Sequence, residues 1–229
     1  MFALVVFPAS VSSAAPEKYD FKLKMSQDKQ LCPAITKVLS ATYSFDVPPS
    51  HDWFTAIQWQ ELGTLGEQFR DEPLPINQPC FGDRWAKFDI DNDGQPEIVI
   101  KRRCNLGGIP SDILLIFRGD ETRERIYQIL MDPFTPSDSL IGKIDYTGET
   151  YELRKLPMFK WKRDRNRLHY ITGVVFIHPF LFGNQTYLSL HGPCCNEDGS
   201  AWHVIARYRG MEKSLPQFED VCYIRRQER

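Results

Sequence analysis

Residues 88 to 100 read FDIDNDGQPEIVI, and this stretch restricts the fold more than any other. Asp89, Asp91 and Asp93 alternate, Gly94 follows, and Glu97 opens a run of β-branched residues. Counted from Asp89, acids fall at positions 1, 3, 5 and 9, with Gly94 at 6 and Gln95 at 7. Carboxylates this close repel unless something positive lies among them. Alternate positions point inward when a short loop wraps a sphere, so the spacing collects oxygen atoms around one point. Gly94 permits the bend that a side chain would resist. Hard oxygens in that number suit calcium, which takes about six to eight of them, better than the strict octahedron of magnesium. An EF-hand would need a bidentate acid at position 12 and flanking helices. Ile100 stands there, inside EIVIKR, and the preceding WAKF is also strand-like. The loop therefore joins two strands, with Glu97 closing the shell.

DIDNDGQPE resembles the D-x-D-x-D-G-x-x-D loop of FG-GAP/VCBS-type repeats, which occur in β-propeller blades and in many exported bacterial proteins. The resemblance covers residues 83 to 118, a strand, the loop and the strands after it. It implies calcium held by Asp89, Asp91, Asp93, the Gln95 carbonyl and Glu97. Glu97 replaces the usual final aspartate, and a single copy stands where a propeller would show several. The expectation is one strand–calcium loop–strand hairpin inside another β fold.

The rest of the chain agrees with a mainly β, α+β protein of antiparallel hairpins and curved sheets. RWAKFDI, PEIVIKRR, DILLIFRG and RIYQILM are short runs rich in β-branched and aromatic residues. KIDYTG, YELRKL, LHYITGVVFIH, QTYLSLHG, AWHVIARYR and DVCYIRR continue at hairpin spacing, with FGNQ and NEDGS as turns. Helix is expected in the N-terminal part, about residues 26–70. In SQDKQLCPAITKVLSAT, Leu31, Ile35, Val38 and Leu39 share a face and Pro33 falls in the first turn. FTAIQWQELGTLGEQF suggests a second short helix ending near Gly63 or Gly66. No fixed-period repeat or linker divides residues 15–229, which read as one β-rich domain.

Residues 1–14 pass from an apolar run to small residues, with Ser12 and Ala14 flanking a cleavage point, as in the later part of a secretory signal. The basic n-region is missing, so the expectation is a leader truncated at its start. The even set of 6 cysteines, Cys32, Cys80, Cys104, Cys194, Cys195 and Cys222, then favours disulfides in the periplasm or outside the cell. Sequence leaves their pairing open. No run approaches the length of a membrane-spanning helix. Zinc on His191, Cys194, Cys195 and His203 is disfavoured, because adjacent cysteines cannot easily take two tetrahedral corners.

With a formal net charge of -2, no global field argues for nucleic acid. Lys160, Lys162, Arg163, Arg165 and Arg167 interleave with Trp161, and this is the first choice for a partner-facing surface. Charged hairpin edges of this kind also guard against strand pairing; an acidic face of a toxin or enzyme would fit it. G-x-S-x-G and H-E-x-x-H are absent from the chain. The expectation is an exported, calcium-stabilised, non-enzymatic protein-binding protein, for which the resemblance makes a periplasmic immunity protein a reasonable role. The alternatives are a secreted hydrolase of envelope or carbohydrate polymers with a structural calcium, and a cell-surface adhesion or ligand-binding module.

Overall fold

The structure, a computed structural model, describes residues 19–44, 47–62, 80–106, 109–131, 140–144, 176–192, 200–212 and 215–228. Among the described residues, ten strands and three helices follow in the order β1 (Tyr19–Ser26), α1 (Leu31–Thr42), α2 (Asp52–Thr55), β2 (Gln60–Glu61), β3 (Cys80–Phe88), β4 (Glu97–Leu106) and β5 (Ile109–Phe117). Then come α3 (Arg123–Met131), β6 (Leu140–Ile144), β7 (Phe176–Phe182), β8 (Gln185–His191), β9 (Ser200–Glu212) and β10 (Leu215–Glu228). They build two antiparallel sheets, ordered β1-β10-β9-β8-β7 and β2-β3-β4-β5-β6.

Three apolar clusters stack these into four layers. Leu31, Ile35 and Leu39 of α1 and Phe54 of α2 pack on Phe180, Ile205 and Ile224 of the first sheet. The sheets meet through Val99, Leu114 and Ile116 on one side and Ile177, Leu188 and Val204 on the other. Ile126, Ile129 and Leu130 of α3 cover Ile98, Ile100 and Phe117 on the outer face of the second sheet. A strand covered on both faces loses the apolar–polar alternation. That is why β8 is buried at six of its seven positions, Thr186 to His191.

The mainly β reading therefore holds, with corrections. RIYQILM is helix, not strand: its β-branched residues hid a helical spacing in which Ile126, Ile129 and Leu130 fall on one face. The Thr122 hydroxyl accepts from the Arg125 N–H at 3.3 Å and starts that helix. The second N-terminal helix is one turn, Asp52–Thr55, beginning upstream of the expected stretch, and Gln60–Glu61 pairs as strand with Trp85 and Arg84. The expected helix from Ser26 begins at Leu31, where the Asp28 carboxylate accepts from the Gln30 and Leu31 N–H groups at 2.8 Å each. Before it lies β1, whose YDFKLKMS pairs with β10.

Cys32 of α1 is bonded to Cys222 of β10 across 190 residues, with the Cα atoms 5.6 Å apart. Closing so long a loop stabilises by about 5 kcal/mol in the chain-entropy limit. Cys104 is disulfide-bonded as well, and it stands opposite Cys80 in the β3–β4 register. Cys194, Cys195, the leader of residues 1–14 and the basic segment Lys160–Arg167 lie outside the described residues.

Candidate metal site

β3 ends at Phe88 and β4 begins at Glu97, so the three aspartates of the motif sit in the hairpin loop and Glu97 stands where the loop enters β4. Ile90, with no exposed surface, drops into the core between the sheets and anchors the loop from within. Asp89, Asp91 and Glu97 are thereby gathered, each offering an oxygen within 4.8 Å of the others. Asp93 is not in that group. The Asp93 carboxylate accepts from the Gln95 N–H at 2.7 Å instead, and both residues are exposed.

The backbone is folded around the carboxylates. The Asp93 N–H donates to Asp89 Oδ1 and Asp91 Oδ1, both at 3.1 Å, and the Gly94 N–H donates to Asp89 Oδ2 at 2.9 Å. At the base of the loop the Ile90 N–H donates to Glu97 Oε2 at 3.0 Å. Two residues turn left-handed to allow this, Asn92 at φ 64 and Gly94 at φ 91. Asparagine and glycine are the residues that tolerate that region best.

These bonds do not neutralise the charge. Burial, then the charges of Asp93 and Asp89, raises the pKa of Asp91 against the pull of backbone N–H groups. Burial, assisted by Asp91 and Asp93, pushes Glu97 up to about 7 despite its bond from Ile90. Burial and the charges of Asp91 and Glu97 also raise the Tyr208 hydroxyl. That hydroxyl packs where a Cβ on Gly142 would lie only 2.5 Å away, so β6 needs a glycine there. Among the described residues no lysine or arginine pairs with these acids. A cluster of hard oxygens held ready on a rigid frame could hold a metal ion, which would favour the charged carboxylates.

The loop also reaches the other sheet, which sequence reading did not foresee. Asn92 and Thr186 of β8 exchange two bonds, Asn92 Nδ2 to the Thr186 carbonyl at 3.1 Å and the Thr186 N–H to Asn92 Oδ1 at 2.7 Å. The Thr186 hydroxyl donates to the Asp89 carbonyl at 2.6 Å. A short polar residue inside an acidic loop was the available signal; its partner lies 94 residues away.

A second charged cluster joins the sheets through Asp112 of β5, which is fully buried. Lys101 Nζ lies 2.8 Å from Asp112 Oδ2 and Arg103 Nε 3.1 Å from Oδ1. Among the described strands β7 is an edge, and its Ile177 N–H and carbonyl face away from β8. Asp112 Oδ2 accepts from that N–H at 3.1 Å, and Lys101 donates to that carbonyl at 2.7 Å. Two residues on, Pro179 offers no N–H at the next outward position, which blunts the edge further. Lys101 also lies 3.0 Å from His178 Nδ1.

His178, His191 and His203 line up on neighbouring strands, with ring centroids 5.5 Å and 4.7 Å apart, and Tyr43 just after α1 meets His191 and His203 edge-on. Burial foremost, with Lys101 or a neighbouring histidine adding to it, holds all three below the ordinary imidazole range, His191 at about 3. They are neutral core residues. The Ser189 hydroxyl meets His203 Nε2, a pairing that resembles a nucleophile with its base. Ser189 has no exposed surface and His203 2%, so no substrate reaches them.

Fold and site together define a two-sheet antiparallel β protein, covered by helices, disulfide-bonded, and carrying an acidic hairpin loop suited to a cation. Comparison of the chain with protein-family models, with curated proteins and with solved structures gave no match.

Proposed function

We propose that this is an exported, calcium-stabilised protein that binds another protein rather than turning over a substrate. One observation carries the reading: Asp89, Asp91 and Glu97 converge with no cationic partner among the described residues, on a loop bonded to the opposite sheet. A calcium ion there would neutralise the loop and fasten the two sheets, with Asp93 and the Gln95 carbonyl completing its oxygen shell. The likeness to FG-GAP/VCBS-type loops supports calcium. Export is supported by the Cys32–Cys222 bond, which persists in oxidising compartments. Among the described residues no helix is long and apolar enough to cross a membrane.

A β body held by a long-range disulfide and a metal loop keeps a fixed surface, which lowers the ordering cost of binding a partner. A toxin neutralised in the periplasm is the partner class we infer, engaged through the basic segment Lys160–Arg167 by an acidic face. The test is purification of the full chain from its producing cells in calcium. One protein should co-purify stoichiometrically, and reversing the charges of Lys162, Arg163 and Arg165 should release it. Loss of that partner from the parent chain, together with turnover of an envelope or carbohydrate polymer, would show a hydrolase instead.

A further inference from the structure

Strand register brings a tyrosine of the first sheet to the acidic loop. Leu188 of β8 stands opposite Ala206 of β9. The next residue of β9, Arg207, donates to the Tyr187 hydroxyl at 3.0 Å, so the two strands stay side by side beyond Leu188. One rung further, the same register sets Tyr208 beside Thr186. Alternate residues of a strand share a face, and Leu188, Ala206 and Tyr208 all belong to the core between the sheets. Thr186 is the residue that holds the loop, through Asn92 and the Asp89 carbonyl. Tyr208 is its neighbour on the next strand, and it reaches across the core until its hydroxyl lies over Gly142 of β6.

The second sheet carries the acids into the same space. Gly142 stands opposite Ile116, and Ile116 opposite Val99. Val99 lies in the core between the sheets, and Glu97, two residues back along β4, takes the same face and is buried. Tyr208 is only 2% exposed, and among the described residues its hydroxyl has no hydrogen-bond partner. A phenol both donates and accepts, and leaving one unpaired in a core is costly. Phenylalanine would fill this space without that cost. The charges of Asp91 and Glu97 also reach the hydroxyl and, with burial, raise its pKa, so it keeps its proton at neutral pH.

We propose that Tyr208 is a positioning residue of the metal site: its hydroxyl donates a hydrogen bond to the oxygen shell of the cation held by Asp89, Asp91 and Glu97. The inference rests on the reading that the loop takes calcium. It makes the site a joint product of both sheets, where the hairpin motif alone supplies oxygens only from β3, β4 and the turn between them. Calcium accepts carboxylate and water oxygens together. Groups that hydrogen-bond to a metal's ligands orient those ligands and tune its affinity.

Calcium titration of the full chain tests this, in the parent, Tyr208→Phe and Asp91→Ala, read by calorimetry and by near-ultraviolet difference spectra of the tyrosine band. Calcium should shift that band in the parent, because a phenol that gains a hydrogen bond absorbs differently, and the shift should vanish in Tyr208→Phe. That variant should bind calcium about fivefold more weakly. Its unliganded melting temperature should be no lower than the parent's, since the hydroxyl it loses is unpaired. Asp91→Ala should show neither binding nor shift. A parent that takes no calcium would overturn the loop reading and this proposal together. Equal calcium affinity in parent and Tyr208→Phe, or a tyrosine shift that survives in that variant, would overturn this proposal alone.

Discussion

The acidic loop and the Asp112 cluster solve one problem in opposite ways. Each buries carboxylate where the two sheets meet, and each bonds to a strand of the opposite sheet. Asp112 has its counter-charges built in, with Lys101 and Arg103 at 2.8 Å and 3.1 Å. Asp89, Asp91 and Glu97 have one another and a set of backbone N–H groups. The first cluster is complete as a protein structure; the second, on the reading proposed above, would become complete by taking a cation from solution. A buried charge can therefore be a fixed part of a fold or a place where solution conditions act on it, and the nearest opposite charge decides which.

Breaking the complete cluster should cost most. Asp112→Asn leaves Lys101 and Arg103 without their carboxylate and should lower unfolding free energy by about 3–5 kcal/mol. Urea titration would show the loss to be the same with calcium or with chelator. A calcium-dependent loss would mean that the two regions are not independent.

Acid separates the regions next. His178, His191 and His203 have folded pKa values below the unfolded value, so below about pH 6.5 the unfolded chain binds protons that the native state refuses. Stability falls as pH drops, with a slope approaching about 1.4 kcal/mol per pH unit for each histidine. Glu97 runs the other way. Its folded value near 7 exceeds the ordinary 4.5, so metal-free protein should lose stability as pH rises through that window, and bound cation should abolish the loss. Melting curves at a series of pH values, with and without chelator, would resolve the two signs. A smaller effect should follow Asn92→Ala, which removes the two bonds to Thr186 and should cost about 1–2 kcal/mol in urea. Unchanged stability in that variant would deny the loop its role in joining the sheets.

Much of this was legible in the chain. Short β-branched runs located most strands, and Asp89, Asp91 and Glu97 were readable because the ligands of a hairpin loop are close in sequence. The Lys101–Asp112–His178 cluster was not, because its members come from β4, β5 and β7, and the contact between Lys101 and His178 spans 77 residues. The Cys32–Cys222 pairing, 190 residues apart, was hidden for the same reason. α3 was misread because isoleucine and tyrosine favour strands, although the spacing of Ile126, Ile129 and Leu130 is helical. β1 carried a legible alternation in Phe21, Leu23 and Met25 that the adjacent helix signal overshadowed.

The central claim is that the acidic loop completes itself with calcium and so fastens the sandwich. Urea unfolding of the parent chain and of Asp91→Ala, each in chelator and in calcium, tests it most directly. At about 100 times the dissociation constant calcium should add about 2.7 kcal/mol to the parent, and should add nothing to the variant. Equal stability of the parent in calcium and in chelator would contradict it.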